Sequence, residues 1–284
     1  MSTTSRGSRR GGHHRRVTTS GGQLRKRILG GETLFGAWCG LGSPAAAELL
    51  GVAGYDWVVI DLEHGAGTEG ELLAHLYAIE TTGAAAIVRP QSGERLRIGR
   101  ALDMGAAGIV VPRLDSAAEV KEAVTFLRYP PDGGRGVALM TRGGRLGSVP
   151  HSGVAGLNKD IVGIIQVESP GAVREADAFA ATDGVDVLFV GPADLSHSLG
   201  VPGQFKNDTY LAALRTVVAA CRKHGKAAGI LLYDPASFGP HLDLGFTFIG
   251  LGADASFMAN GAVAALAVAN GAAAALASAR SSQP

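Results

Sequence analysis

Two kinds of apolar pattern take turns along this chain. Short runs of consecutive apolar, often β-branched residues are separated by stretches in which apolar positions recur every three or four residues. The short runs read as strands at 34–39 (LFGAWC), 57–60 (WVVI), 84–88 (AAAIV), 108–111 (GIVV), 161–167 (IVGIIQV), 185–190 (VDVLFV), 227–232 (AAGILL) and 246–251 (FTFIGL). Apolar on both faces, they suit a parallel sheet covered by helices on its outer side. The intervening stretches predict helices at 43–54, opened by Ser43 and Pro44, and at 71–81, 95–104 and 116–127. Further helices are predicted at 208–224, with Leu211, Leu214, Val217, Val218 and Cys221 on one face, and at 234–244. A last helix runs from 254 to about 278 and is expected to break or bend near Asn270 and Gly271. Residues 129–158, rich in Gly, Pro and Arg, predict a long irregular loop, and loops of such length are more often functional than idle.

Eight strand–helix units in series fit an α/β fold of the closed (β/α)8 TIM-barrel type. A doubly wound sheet usually has five or six strands and a Gly-rich first turn. Residues 23–284 are expected to form this one catalytic domain, and 284 residues suffice for a single barrel with a sizeable core. Residues 1–22, built of Gly, Ser and Arg with almost nothing apolar, are expected to be a disordered basic extension and not a secretory signal. The net charge of +1 hides an asymmetry: the first 30 residues hold eight Arg and Lys and no acid, leaving 18 basic against 25 acidic residues. The basic head makes a weak nucleic-acid contact conceivable, but nucleic acid is not the expected partner.

Cys39 and Cys221, the only two cysteines, offer neither a zinc spacing nor a disulfide framework, and a cytoplasmic location is expected. No membrane partner is expected either, because Asn270 and Gly271 interrupt the Ala-rich segment 262–279. That final helix is poor in charge all round, so exchange or packing of it between subunits is expected.

Barrel active sites sit at the C-terminal strand ends. Read in order, those ends carry Trp38, Asp61 with Glu63 and His64, Arg89, Arg113, Glu168, Asp194, Tyr233 and Gly252. Glu168 and Asp194 follow neighbouring strands and can either cap local turns or hold a divalent cation through oxygen, with Mg2+, Mn2+ and Co2+ the suitable ions. A 2-oxo acid chelating that ion would have its ketone polarised while a C–C bond breaks or forms. Arg89 is then the candidate to hold the oxygen on which charge develops. The N–H groups of Ala193 and Asp194, after Gly191 and Pro192, are candidates for the substrate carboxylate. His64, with acids beside it, is the candidate acid–base group. Asp103 falls at the far end of its own barrel and reaches His64 only through a neighbouring subunit or an unusual geometry; otherwise it is a plain helix-end residue. Lys26, Lys121, Lys159, Lys206, Lys223 and Lys226 all lie away from the strand ends, which disfavours imine chemistry.

With these residues in hand, the sequence resembles the HpcH/HpaI aldolase family of class II pyruvate aldolases. The resemblance rests on IDLEHG (60–65), VRP (88–90), LDMGAAGIVVPR (102–113), RYPPDGGRGV (128–137), IQVESP (165–170), FVGPADLSHSLG (189–200), GILLYDP (229–235) and GFTFIGLGAD (245–254). It implies a phosphoenolpyruvate/pyruvate-type barrel with a swapped C-terminal helix, assembled as a homohexamer of three dimers. It also implies reversible, metal-dependent cleavage of a 4-hydroxy-2-oxo acid to pyruvate and an aldehyde.

Residue by residue, the resemblance makes Glu168 and Asp194 the metal ligands and Arg89 the partner of the pyruvyl oxygen. His64 and Asp103 become an acid–base relay, and Asp61 stands near the metal's waters. It adds Trp38, Gln166, Gly191, Ala193 and Leu231 to the substrate surroundings. The aldehyde half is expected to be set by the 129–158 loop, the rim of strand seven and any neighbouring subunit. Alternatives within the same superfamily are an oxaloacetate-decarboxylating, bond-forming synthase like macrophomate synthase, or a citrate-lyase-β-like enzyme acting on a CoA thioester.

Overall fold

Alternation along the strands divides the core in two. Leu34, Trp57, Val59, Ala85, Ile87, Val110, Val162, Ile164, Val187, Phe189, Ala227 and Phe248 form one buried cluster. Their immediate neighbours, among them Val58, Ile60, Val88, Ile109, Ile165, Leu188, Ala228 and Ile249, belong to a second. A period of two puts the first set inside the barrel and the second against the surrounding helices.

The computed structural model describes residues 20–281. Its strands are β1 (Leu34–Cys39), β2 (Trp57–Asp61), β3 (Ala85–Arg89), β4 (Gly108–Val111), β5 (Val162–Val167), β6 (Val187–Val190), β7 (Ala227–Leu231) and β8 (Phe248–Ala253). They close into a parallel barrel in sequence order, β8 pairing back on β1. Aromatic rings fill the interior: Trp57 stacks on Phe248 with ring centroids 4.2 Å apart, and Phe189 packs against Trp38 at 5.0 Å. The indole of Trp57 lies flat on Gly36, where any side chain would collide with it. The barrel is therefore a packed core and not a pore.

The first described helix, α1 (Gly21–Leu29), has no counterpart among the elements expected from sequence. Ser20 and Gln23 form a reciprocal capping box at its start. Its buried Leu24 and Ile28 join the interior cluster, so the helix stoppers the barrel at its N-terminal end. Arg25 Nε lies 3.0 Å from both carboxylate oxygens of Asp186, which is 0% exposed. The basic head otherwise lies outside the described residues.

The outer helices are α2 (Pro44–Val52), α3 (Leu72–Glu80), α4 (Arg95–Asp103), α5 (Ala117–Leu127), α6 (Pro170–Arg174), α7 (Ala176–Ala181), α8 (Pro192–Ser198), α9 (Asp208–Lys223) and α10 (Phe238–Leu244). A long helix, α11 (Asp254–Ser281), ends the described chain.

Two expectations need correction. The break near Asn270 and Gly271 does not occur, because α11 runs continuously through them. A lone Gly costs a helix only about 1 kcal/mol, and the flanking alanines favour helix strongly. The 129–158 loop joins the end of α5 to the start of β5, at the N-terminal end of the barrel and away from the strand ends where the site lies. It cannot shape the site of its own chain.

In that loop Asn158 bonds the backbone of Tyr129 through both its Oδ1 (2.7 Å) and its Nδ2 (3.0 Å). The loop's arginines are paired: Arg135 with Asp103, Arg142 with Glu80 and Arg145 with Asp160, each at 2.8 Å. They line a cavity of about 480 Å3 on this far face.

Helix α11 leaves the opposite end. Asp254 anchors it by accepting the N–H groups of Gly40 and Leu41, both at 3.0 Å. Beyond that anchor Met258, Val263, Leu266, Val268 and Leu276 are all more than 60% exposed. By length and composition alone, residues 254–278 suffice to cross a membrane, and the most apolar 18-residue window within them is not buried.

Candidate active site

The inward parity that builds the interior continues to the C-terminal strand ends and changes chemistry there. After Trp57 and Val59 on β2 the next inward position is Asp61; after Ala85 and Ile87 on β3 it is Arg89. On β5 the inward series Val162, Ile164 ends in Gln166 and then Glu168. A polar layer thus sits directly on an apolar barrel.

Asp61 and Arg89 are register partners across β2 and β3. Arg89 Nε donates to Asp61 Oδ1 at 2.9 Å and Nη2 to Oδ2 at 2.7 Å, a two-pronged pair with both side chains buried. Asp61 Oδ1 also accepts the N–H groups of Glu63 (3.1 Å) and His64 (3.2 Å), which fixes the turn after β2. Arg89 Nη1 stands 3.0 Å from Glu63 Oε2, close but out of line for a hydrogen bond. The guanidinium centre lies 6.0 Å from the Trp38 ring centroid. Burial works against the charge on Arg89, and Asp61 and Glu63 more than offset it.

Across the mouth Gln166 Nε2 donates to Glu168 Oε1 in a short hydrogen bond, while Gln166 Oε1 is buried without a partner among the described residues. The backbone at Gly191 passes so close that any side chain there would run into the Glu168 carboxylate. Burial raises the Glu168 carboxyl to about 7, with Asp194 and Glu63 adding to the rise and Arg89 and Arg113 opposing it. Glu63 is likewise raised by burial, and Arg89 and His64 offset part of that. Asp194 is exposed on the first turn of α8 beside Ala193, where Pro192 opens the helix. Leu231 and Trp38 meet above Gly250 as an apolar floor, 3.0 and 3.2 Å from where a Cβ would stand.

This donor set fits a hard divalent cation. Asp194 adds to the raised proton affinity of both Glu63 and Glu168, Glu63 adds to that of Glu168, and a positive ion would relieve that repulsion. Among the described residues no three His, Cys, Asp or Glu side chains hold a metal by themselves. Glu168 and Asp194 would hold it and leave its other positions for water or substrate.

The structure brings together Trp38, Asp61, Arg89, Gln166, Glu168, Gly191, Asp194 and Leu231. His64 stands at the edge, 68% exposed, with Nε2 3.9 Å from Glu63 Oε2. Asp103 is not brought to it: it ends α4 on the far face, bonded to Arg135. Arg113 has an exposed side chain and lies on the outward parity of its strand, and its backbone is in the left-handed region with φ +32°. Glu63 is the residue that sequence reasoning undervalued, although its place two residues after Asp61 signals the same inward side.

A closed parallel barrel whose C-terminal mouth holds an arginine locked to a carboxylate, beside further uncommitted acids, has the layout of a barrel enzyme. The sequence profile of the HpcH/HpaI aldolase/citrate lyase family matches residues 34–261, and the chain belongs to that family. It is 42% identical over 248 residues to a hydroxypyruvate/pyruvate aldolase of Paraburkholderia phytofirmans, covering 85% of this chain and 95% of the relative. A 5-keto-4-deoxy-D-glucarate aldolase of Klebsiella pneumoniae subsp. pneumoniae is 39% identical over 219 residues, 77% of this chain and 85% of its own. A crystal structure of an HpcH/HpaI aldolase/citrate lyase family protein from Burkholderia cenocepacia superposes with a TM-score of 0.83 at 36% identity, covering 88% of this chain and 99% of that one.

Proposed function

We propose that this chain is a divalent-metal-dependent pyruvate aldolase, cleaving a 4-hydroxy-2-oxo acid reversibly to pyruvate and an aldehyde. The observation that carries the reading is the inward polar layer, in which Arg89 is held rigid against Asp61 beside a carboxylate cluster. The cation, when bound, supplies Lewis-acid polarisation of the 2-oxo group.

This chain's own residues do the rest. Arg89 has five N–H donors; with Asp61 engaging two and Glu63 paired only by charge, the others remain for the ketone oxygen, where negative charge grows. The N–H groups of Ala193 and Asp194, in the first turn of α8, receive the substrate carboxylate. His64, exposed, with its backbone fixed by Asp61 and its ring 3.9 Å from Glu63, takes the proton of the 4-hydroxyl as the C3–C4 bond breaks. Trp38 and Leu231 keep water from the carbon left behind.

Asp103 completes the relay with His64 only from another copy of the chain. The exposed apolar length of α11 supports an assembly of such copies, with a hexamer of three dimers the proposed form. A CoA-thioester substrate is disfavoured, because the loop arginines that could bind its phosphates are paired with acids on the far face.

Protein stripped by a chelator should lose cleavage of 4-hydroxy-2-oxo acids and regain it with Mg2+, Mn2+ or Co2+. Full activity in excess chelator would refute the reading.

A further inference from the structure

The segment 128–137 (RYPPDGGRGV) has no part in the mouth of its own barrel; on the far face it builds a seat for one arginine. The chain doubles back there: Arg135 N–H donates to Arg128 O at 2.9 Å and Gly134 N–H to Thr125 O at 2.7 Å. Gly133 permits the turn, because a Cβ on it would stand 2.4 Å from the carbonyl oxygens of both Arg128 and Thr125. The guanidinium of Arg135 then lies 4.3 Å from the ring centroid of Tyr129, whose backbone Asn158 clamps from both sides. From this seat Arg135 Nη2 donates to Asp103 Oδ1 at 2.8 Å. The same loop holds the backbone of Asp103, Gly143 N–H donating to its carbonyl at 3.1 Å.

Three arginines of this loop each make a 2.8 Å pair with an acid, and burial sets one of them apart. The side chain of Arg135 is 2% exposed, against 22% for Arg142 and 60% for Arg145. Its Nε is buried with no partner among the described residues. A cation withdrawn this far from water, with a donor unmet, costs stability that an exposed pair does not. What it gains is direction: a planar fork resting on an aromatic ring holds its carboxylate in one orientation. The Asp103 side chain stays partly exposed, and among the described residues only its Oδ1 accepts a side-chain hydrogen bond. Resting on the relay proposed above, we infer that Arg135 is a positioning residue that acts through Asp103. By fixing one carboxylate oxygen, it turns the other outward to meet His64 of the partner subunit.

A double-mutant cycle on the Mn2+-loaded protein tests this, using the 4-hydroxy-2-oxo acid that the wild-type protein cleaves fastest. Methionine in Arg135→Met keeps the length of the buried side chain and removes its charge and donors. Its kcat should fall about tenfold, the scale of one hydrogen bond between charged groups, with KM nearly unchanged. Asp103→Asn should lower kcat at least as far, and the double variant should be no slower than Asp103→Asn alone. An arginine with only a structural role would slow the asparagine variant further, and that additive result overturns the inference. An unaltered kcat in Arg135→Met, with Asp103→Asn slow, overturns it and leaves the relay standing. Full activity of Asp103→Asn removes the relay and this inference together, and absence of any cleavage by the wild-type protein removes the aldolase reading as well. Light scattering and thermal melting accompany each assay. If Arg135→Met dissociates or unfolds, Arg135→Lys, which keeps the charge without the fork, takes its place in the cycle. Dissociation or unfolding of both variants also overturns the inference, since Arg135 would then hold the fold and not the direction of Asp103.

Discussion

Arg89 is buried at the boundary between an apolar barrel and a polar mouth, and its charge survives there because Asp61 faces it in register. The fork of a guanidinium is what allows two bonds to Asp61 and a third contact to Glu63 while donors remain for a ligand. Arg89→Lys keeps the charge but loses that geometry, so kcat/KM for 4-hydroxy-2-oxo acid cleavage should fall about 100- to 1,000-fold in steady-state assays. Glu168 is the second residue with a consequence of its own. Its carboxyl is raised to about 7, so it binds protons more tightly in the folded chain than in the unfolded one. Metal-free protein should therefore lose stability as pH rises from about 5 through 7, read as a falling Tm. Cation affinity should move the other way, weakening as pH falls below about 7, because only the ionised carboxylate is a ligand; calorimetric titration with Mn2+ at several pH values checks this.

At the level of elements, α1 shows what a short helix at the barrel floor contributes. Asp186 is fully buried, and its charge is met by Arg25 and by the N–H of Gly163 at 3.0 Å. Arg25→Ala should destabilise the protein by about 3 kcal/mol in urea unfolding, because it strands a buried carboxylate, while kcat stays as it was. This helix was only partly legible in the sequence. The Ser20–Gln23 box could be read, but two apolar residues four apart among arginines and a lysine do not make a periodic pattern. The eight strands were legible because β-branched runs apolar on both faces have few other uses. The site residues were legible for the same reason: each interrupts such a run at its C-terminal end, as Asp61, Arg89 and Glu168 do. The position of the 129–158 loop could have been deduced, since a connection from helix to strand must lie at the N-terminal face. Its glycine- and arginine-rich composition drew attention away from that rule. Glu63 was legible only through its two-residue spacing from Asp61, a weak signal because parity past a strand end holds only where the chain continues it.

For the whole molecule, the long apolar flank of α11 is the largest unsatisfied demand. A helix with Val263, Leu266 and Val268 exposed together gains by burial against another copy. Replacing Leu266 and Val268 with Asp should shift the protein to smaller species in light scattering, and α11 should then lose helix in far-UV dichroism. Asp103 and His64 stand on opposite faces of one barrel, and this has a consequence for mixtures. If the relay is completed between copies, His64→Ala and Asp103→Ala proteins are each crippled alone. Unfolded together and reassembled, they should yield some mouths with both groups intact, and a fraction of the parental turnover should return from two dead parents.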